Sequence, residues 1–216
     1  MTESTADPRH KLVARRRRKS RRPRNADPQA DTRVDILKSA AKAFRKLGYH
    51  GATVEQIAAA LQMKKGNLYY YFRNKEDILF ACHQYSLDRL LELLDEVERS
   101  GVPAEEQLRR LIVSFVHTIL DELHGTALFL DLEALSAAHL RTVIARRDRF
   151  DHGVRRVLEE GMATGTFAKS DAKLLAFAIF GSVNWIPRWF NPRGAATSDE
   201  IANRFAEYLI AGLKPR

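Results

Sequence analysis

The chain has 216 residues, 45% apolar and 29% charged, a composition typical of a globular protein of one large or two modest domains. Its one cysteine, Cys82, excludes an internal disulfide and indicates a reducing compartment. The longest uncharged run, 174–187, has 14 residues, fewer than the ~20 that a membrane-spanning helix needs. Because no apolar run follows the arginine cluster at 15–22, that cluster is not part of a signal peptide. We therefore expect a soluble, cytoplasmic protein without membrane contact.

The excess positive charge lies in the first 30 residues. They contain ten Lys or Arg and three Asp or Glu, which accounts for seven of the nine net positive charges. The segment lacks hydrophobic periodicity and is rich in Arg, Pro, Asp and Ser, so we predict a disordered basic arm over 1–30. Two interpretations stay open, a solvated tail and an arm that follows the phosphates or the minor groove of DNA.

The chain after the arm has the apolar spacing of helices almost throughout. A first helix is predicted to end at Gly48. Thr53 with Gln56 forms a capping-box pattern that begins a second helix over 54–61. A third, short helix over 65–71 follows the turn 62–64. A fourth helix is predicted to begin after the cap residue Asn74 and to end at Gly101.

Further helices are predicted beyond Gly101, and no stretch has the alternation of a β-strand. Their approximate bounds are 103–123, 126–135, 138–164, 170–189 and 198–213. The predicted fold class is all-α, with an N-terminal three-helix domain over 31–78 and a larger helical bundle over 79–216.

The second and third helices have the pattern of a helix-turn-helix, because three residues join them and the second of the pair is short and basic. Lys64 and Lys65 stand where the helix dipole is already positive, which is unfavourable in isolation and favourable beside DNA phosphates. Gly66 permits close backbone approach, and Asn67 suits an adenine edge or a phosphate. A tyrosine ring suits a thymine methyl group. The alternative is a three-helix module that binds protein.

The residues over 33–80 resemble the DNA-binding domain of TetR-family transcriptional regulators. The matching positions are Leu37, Ala41, Phe44, Gly48, Tyr49, Thr53, Val54, Ile57 and Ala58, then Lys65, Gly66, Leu68, Tyr69, Tyr71, Phe72, Lys75, Ile78 and Leu79. The resemblance implies an all-helical homodimer that binds double-stranded DNA and has an effector pocket in its C-terminal domain. It also implies DNA contacts at Thr53, Lys65, Tyr69, Tyr70 and Lys75, with Lys75 on a phosphate.

Two positions depart from the family pattern. Gln62 stands where the family often has glycine, and Lys64 stands where it often has Ser or Thr. The second departure predicts a recognition helix without an N-cap side chain, which costs about 0.5–2 kcal/mol in the free protein.

The resemblance implies that the last two helices form a four-helix dimer interface. The residues predicted for it are Leu174, Phe177 and Gly181 on one helix and Ile201, Phe205, Tyr208 and Leu209 on the next. The alternative is that these residues pack only within one protomer.

The segment 184–189 is the predicted ligand site. Asn184 and Arg188, like Trp185 and Trp189, are spaced as neighbours on one helix, and Pro187 is expected to kink it. Arg beside aromatic rings can hold a phosphate and stack on a flat ring. This ending resembles TetR-type regulators of fatty-acid and steroid breakdown, whose effectors are acyl-CoA thioesters. Alternatively, the Trp pair packs the dimer core and Arg188 makes a surface ion pair.

Three further groups of residues are candidate sites. Phe129, with Leu130 and Leu132, is predicted to line an apolar ligand cavity, although plain core packing is the alternative. His117, Asp121 and His124 share one side of a helix, but a solvated polar face is favoured over a metal site. The basic segment 141–150 is interpreted as an exposed face or a partner for ligand phosphates.

The sequence thus predicts a ligand-responsive dimeric repressor that binds a palindromic operator, with an acyl-CoA of lipid or steroid catabolism as effector. The alternative is an efflux regulator that senses a hydrophobic or cationic small molecule, with Glu133 as the main candidate acid. A constitutive architectural DNA-binding protein is a third possibility. No nucleophile elbow, metal signature or phosphate loop indicates an enzyme, a metal or a cofactor.

Overall fold

The structure is a computed structural model that describes residues 28–122 and 131–215. Over these ranges the chain forms helices and turns and no strand, which confirms the predicted all-α class. The α-helices are α1 (Pro28–Gly51), α2 (Val54–Ala60), α3 (Lys65–Tyr71), α4 (Lys75–Ser100), α5 (Ala104–His117), α6 (Ala137–Ala163), α7 (Ala172–Asn184) and α8 (Ser198–Ala211). A π-helical turn covers Thr118–Glu122, and 3-10 turns cover Leu132–Ala134 and Ile186–Arg188.

The predicted helix bounds agree with the structure where capping residues set them. Thr53 Oγ1 accepts from the Gln56 amide at 3.2 Å, and the Gln56 side chain accepts from the Thr53 amide at 2.9 Å, so the capping box that begins α2 is present. Asn74 caps α4, and Gly101 ends it in the left-handed conformation. Gly48, with φ 71° and ψ 165°, interrupts the regular α1 geometry.

The arm predicted over 1–30 overlaps α1, which begins at Pro28, and the rest of the arm lies outside the described residues. Three expected helices also differ from the structure. The α-helix predicted over 103–123 ends at His117, and the π-helical turn follows. The helix predicted over 170–189 ends at Asn184, and a tighter 3-10 turn around Pro187 follows, since proline cannot donate the next helical hydrogen bond. The helix predicted over 126–135 begins outside the described residues, and its described part is only the 3-10 turn Leu132–Ala134.

Helices α1, α2 and α3 pack around a small apolar core with the first turns of α4. Phe44, Ile57, Leu68 and Ile78 are fully buried there. Burying each such side chain stabilises the fold by roughly 1.5–3 kcal/mol. Leu68 is the only fully buried residue of α3 and Tyr71 is partly buried against the same core, so the other side chains of this short helix are exposed.

Helices α4 to α8 form the bundle, and α4 belongs to both units because its first turn packs on the helix-turn-helix. Ion pairs along its length join it to α6: Arg146 with Asp88, Arg149 with Asp95 and Arg156 with Glu98. At the far end of α6, the buried Gly161 lets the ring of Phe167 lie directly on the helix backbone.

Candidate DNA interface and effector cavity

Helix α3 displays most of the predicted DNA-contacting residues on one exposed surface. Lys64, Lys65, Gly66, Asn67, Tyr69 and Tyr70 are all exposed there. Tyr70 is 73% exposed, although large aromatic side chains are mostly buried or half-buried in folded proteins. This helix therefore presents two cations, an amide and two phenol rings to whatever approaches it.

The turn before α3 explains both departures from the family pattern. Gln62 has φ 56°, a left-handed conformation that glycine adopts with less strain. Lys64 occupies the N-cap position and makes no side-chain capping hydrogen bond, so the predicted missing cap is confirmed. A Cβ atom at the helical Gly66 would meet nothing within 4 Å. The protomer by itself therefore does not need glycine at position 66, although a closely approaching DNA backbone would.

The Lys75 ammonium is hydrogen-bonded within the protomer. Its Nζ donates to the carbonyl oxygens of Tyr49 at 2.7 Å and Ala52 at 2.9 Å, and it lies 4.3 Å from the centroid of the Tyr49 ring. The ammonium thus ties the start of α4 to the loop between α1 and α2. Spacing along the chain gave no sign of this role, since the partners are more than 20 residues away.

The Thr53 hydroxyl is also hydrogen-bonded within the protomer, because it accepts from the Gln56 amide and so caps α2. Beside it, Glu55 pairs with Lys65, whose Nζ also lies 5.6 Å from the centroid of the Tyr69 ring. The hydrogen bond from Lys65 lowers the pKa of the Glu55 carboxyl, and the same bond raises the pKa of Lys65. Glu55 was not among the predicted site residues.

The helix-turn-helix is joined to the bundle by two carboxylates. Glu76 Oε1 accepts from the Ser136 amide at 2.6 Å and lies 2.8 Å from His139 Nδ1 at the start of α6. These hydrogen bonds, that from the Ser136 amide first, hold the pKa of Glu76 below its usual value. Asp131 Oδ2 accepts from the Tyr49 amide at 2.7 Å. Segment 131–139 therefore contacts the DNA-binding unit at two points.

The bundle has a cavity of about 250 Å³ that opens to solvent on one side. It is lined by Leu87, Leu90, Phe115, Arg147, Asp148, Phe150, Asp151, Phe177, Phe180 and Asn184. Three of the rings form a cluster with centroid distances of 5.7 to 6.0 Å. The walls are thus mainly apolar and aromatic, with a few polar groups among them, as in small-molecule sites.

Asn184 and Arg147 are two of the polar residues that line this cavity. Asn184 Oδ1 is buried and accepts no hydrogen bond from the residues that the structure describes. Burial removes water from the Arg147 guanidinium and lowers its pKa. Because buried acceptors are nearly always satisfied, Asn184 Oδ1 stands out among the described residues as a candidate acceptor for a ligand donor.

The structure separates the predicted ligand residues. Asn184 lines the cavity, whereas Trp185, Arg188 and Trp189 do not. Because α7 ends at Asn184, the two Trp rings are not stacked as helix neighbours. Trp189 stacks on Phe205 at 6.1 Å, and Arg188 lies 5.2 Å from the Trp185 ring. Phe129 and Leu130 lie outside the described residues.

The cavity residues that sequence reasoning missed come from four helices. Leu87 and Leu90 are on α4, Phe115 on α5, Phe150 on α6 and Phe180 on α7. Arg147 and Phe150 lie in the basic segment 141–150 noted above. Helical spacing shows which residues share a face of one helix, but it does not show which residues of four helices meet at a cavity.

Large apolar side chains are exposed on α7 and α8. Leu174, Phe177 and Tyr208 are 64%, 51% and 67% exposed, and a Cβ at the exposed Gly181 would meet nothing within 4 Å. Trp185 and Trp189, also about half exposed, add to the apolar surface that follows α7. The other predicted interface residues are less accessible: Ile201 is buried, and Phe205 and Leu209 are partly buried.

The alternative sites receive no support from the described residues. No cluster of three His, Cys, Asp or Glu suited to a metal occurs among them, and none of their helices is long and apolar enough to cross a membrane. His117 has its Nε2 2.9 Å from Asp199 Oδ1, and His124 lies outside the described residues. Glu133, the candidate acid for binding a cation, is exposed.

Comparison with known proteins identifies both halves of the chain. Residues 36–82 match the family model of bacterial regulatory proteins of the tetR family, and residues 101–213 match that of the tetracyclin repressor-like C-terminal domain. The second match alone covers more than half of the chain.

Individual relatives match over most of their length. The HTH-type transcriptional repressor KstR2 of Rhodococcus jostii is 28% identical over 184 residues, which is 84% of this chain and 90% of that protein. The fatty acid metabolism regulator protein of Bacillus subtilis is 26% identical over 83% of this chain and 94% of its own. The crystal structure of AibR in complex with isovaleryl coenzyme A and operator DNA has a TM-score of 0.70 and 27% identity over 85% of this chain and 98% of that one. The chain belongs to the TetR family and is a DNA-binding transcriptional repressor of that family.

Proposed function

We propose that this repressor acts as a homodimer on a palindromic operator and that an acyl-CoA thioester, from lipid or steroid catabolism, is its effector. Each protomer presents Lys65–Tyr71 to the major groove of one half-site, with the two recognition helices about 34–36 Å apart or a multiple of that distance. The exposed side chains of α3 support the contact, since DNA is the partner that suits adjacent cations, an amide and phenol rings.

The exposed apolar surface of α7 and α8 supports the dimer. Leu174, Phe177 and Tyr208 leave large apolar areas in water in the isolated protomer, and such patches mark interaction sites. The open space above Gly181 would let a second helix approach closely. A two-fold axis through this surface would pair α7 and α8 with the same helices of the partner.

The bundle cavity is the observation that carries the effector proposal. At about 250 Å³ it is too small for a whole CoA thioester, since drug-sized ligands occupy roughly 300–1,000 Å³. It suits a short or medium acyl group, with Phe115, Phe150 and Phe180 against the chain. Arg147 is placed to donate to a carbonyl or phosphate oxygen, and Asn184 Oδ1 to accept from an amide N–H or a hydroxyl. The names of the relatives, which include a fatty acid regulator and an isovaleryl-CoA complex, support the same class.

A ligand in this cavity would act on DNA binding through α4 and α6. Leu87 and Leu90 of α4 and Arg147 of α6 contact the same space, so a bound acyl group changes how these two helices fit together. The start of α6 holds Glu76, at the start of α4 beside the recognition helix. The effector therefore shifts the population between arrangements of the two DNA-binding units that fit or do not fit the operator.

Thermal unfolding with a panel of thioesters tests the effector class. A CoA thioester at 100 times its Kd adds about 2.7 kcal/mol to the free energy of unfolding. We expect the shift to be larger for thioesters than for the free acids, lost in Arg147→Ala and kept in Arg188→Ala. The latter is the matched control because Arg188 lies outside the cavity. Equal loss in both variants, or no shift with any thioester, would contradict the assignment.

A cationic or hydrophobic effector, as in an efflux regulator, is the second candidate. Asp148 and Asp151 also line the cavity and favour a cation there. However, Asp151 is already paired with Arg155, and Arg147 opposes a positive ligand. Stabilisation by cationic dyes and not by thioesters would select this candidate.

A further inference from the structure

Glu55 is an unexpected residue on a surface that contacts DNA. It lies in the first turn of α2, and its carboxylate reaches Lys65, the first residue of α3. Both side chains are about half exposed, at 58% and 48%, so the pair lies on the surface of the helix-turn-helix. A carboxylate at such a surface repels phosphates and so lowers the affinity for DNA. Some other gain must offset this loss.

The neighbouring lysines differ in their electrostatic setting. Lys64 is exposed and has no ion-pair partner within the part of the chain that the structure describes. Lys65 is held between the Glu55 carboxylate and the Tyr69 ring. The charge of Lys64 is thus available to any phosphate, whereas the charge of Lys65 is balanced within the protein.

We propose that Glu55 is a specificity-determining residue of the DNA interface, which withdraws Lys65 from non-specific attraction to phosphates and aims its ammonium at a base edge. This inference rests on the proposed use of α3 as the recognition helix. The carboxylate offsets the attraction of the ammonium for any phosphate. A lysine ammonium has three donors, so those that Glu55 does not use remain for the O6 and N7 acceptors of a guanine.

The same pairing lowers the entropy cost of using a lysine for base recognition. A free lysine side chain has about 2 kcal/mol of rotamer entropy to lose, and the carboxylate removes part of that freedom before DNA arrives. At the correct sequence, loss of Glu55 would therefore remove repulsion and positioning together. At any other sequence it would remove repulsion only.

The experiment compares Glu55→Gln with wild type on two probes. One is a duplex selected from a random pool by the wild-type protein, and the other is an unrelated duplex of the same length. For the unrelated duplex we expect affinity to rise about three-fold or more at low salt, and the slope of log K against log salt to steepen by about 0.9 per bound protomer. The preference for the selected duplex should fall by at least the same factor.

Three further variants isolate the pair. The double variant Glu55→Gln/Lys65→Gln should return the non-specific salt slope to that of wild type, because the net charge of the pair is again zero. Lys64→Gln should flatten the non-specific salt slope by about 0.9 per bound protomer, because its charge is not offset by a carboxylate as that of Lys65 is. Glu106→Gln, which removes a similar carboxylate paired with Arg110 on α5 at 2.8 Å, controls for net charge and should leave the preference unchanged.

The outcomes are distinguishable. An unchanged slope in Glu55→Gln, or equal gains on both duplexes, would overturn the role of Glu55 and leave the proposed repressor function intact. Failure of the wild-type protein to select any duplex would overturn both. Circular dichroism melts of each variant check that α2 keeps its fold.

Discussion

The helix-turn-helix and the bundle both expose aromatic side chains beside cations, but their other neighbours differ. Tyr69 and Tyr70 stand among lysines on α3, where a polar, negatively charged partner suits them. The Phe177 ring lies 5.4 Å from the Arg155 guanidinium and 5.8 Å from Lys173 Nζ, yet it belongs to a helix that exposes further apolar side chains. Neighbouring charges alone therefore do not identify the partner of an exposed ring, whereas the apolar side chains exposed with it do.

The two units also differ in where their recognition residues come from. In the helix-turn-helix they are consecutive along one short helix, with Leu68 as the anchor. In the bundle they come from α4, α5, α6 and α7 and meet only at the cavity. A short segment suffices for the first kind of site, and a packed tertiary structure is needed for the second.

We expect the largest effect from a charge placed among the exposed apolar side chains of α7. Leu174→Asp is expected to yield monomers and to lower affinity for a palindromic duplex by about 10²–10⁴-fold, because one half-site then binds alone. Size-exclusion chromatography with light scattering and a DNA-binding titration measure this. Ile144→Asp, at a 44% exposed position on α6, is the matched control and should stay dimeric. A monomeric wild type would contradict the dimer proposal.

Replacing each of two glycines by alanine should distinguish a glycine needed for internal packing from one needed for the close approach of DNA. In Gly161→Ala the new Cβ collides with the buried Phe167 ring, so we expect a loss of about 1–3 kcal/mol in the free energy of unfolding. In Gly66→Ala the new Cβ meets nothing, so stability should stay equal or rise by up to about 1 kcal/mol while DNA affinity falls. Urea titration and DNA binding give the two readouts. Unchanged DNA affinity in Gly66→Ala would contradict close backbone approach at this position.

Replacing Glu76 tests whether the two units are joined through the start of α6. The Glu76 pKa is depressed in the folded state, so its contribution to stability is present above its ordinary value of 4.5 and is lost as pH falls through the lower, folded value. In Glu76→Gln we expect a loss of about 1 kcal/mol at neutral pH and a flatter acid limb of the stability curve. Thermal melts from pH 3 to 7 measure both. The acid limb of wild type retained in the variant would assign the pH dependence to other groups.

The same variant should also weaken the coupling between effector and DNA. Without the Glu76 carboxylate, the amide of Ser136 and the ring of His139 lose their charged acceptor. A shift of α6 then moves the start of α4 less. We expect the ratio of DNA affinities with and without thioester to shrink several-fold, with affinity in the absence of ligand nearly unchanged. An unchanged ratio would place the coupling elsewhere.

The smallest effect is expected at Cys82. Burial raises the pKa of this thiol to about 12, and the thiolate is the reactive form. A thiol reagent at pH 8 should therefore react with the native protein only as fast as it unfolds, and at the ordinary rate in denaturant. Rapid reaction of the native protein would contradict the burial of this thiol.

The sequence by itself determined the features that depend on near neighbours along the chain. Thr53 with Gln56, Asn74 and Gly101 fix helix ends through hydrogen bonds and dihedral angles that span a few residues, so their roles were predictable. The spacing of apolar residues gave the fold class for the same reason. The missing cap at Lys64 followed from its residue type alone.

Only the tertiary structure decided which distant residues meet. Lys75 was expected to serve a phosphate, yet its ammonium reaches the carbonyls of Tyr49 and Ala52. Trp185 and Trp189 were expected at the ligand, yet the 3-10 turn at Pro187 leaves them outside the cavity. Spacing shows the face of a helix on which a side chain lies. It does not show what that face meets, because the packing of α4 to α8 depends on the shape and volume of every side chain in the core.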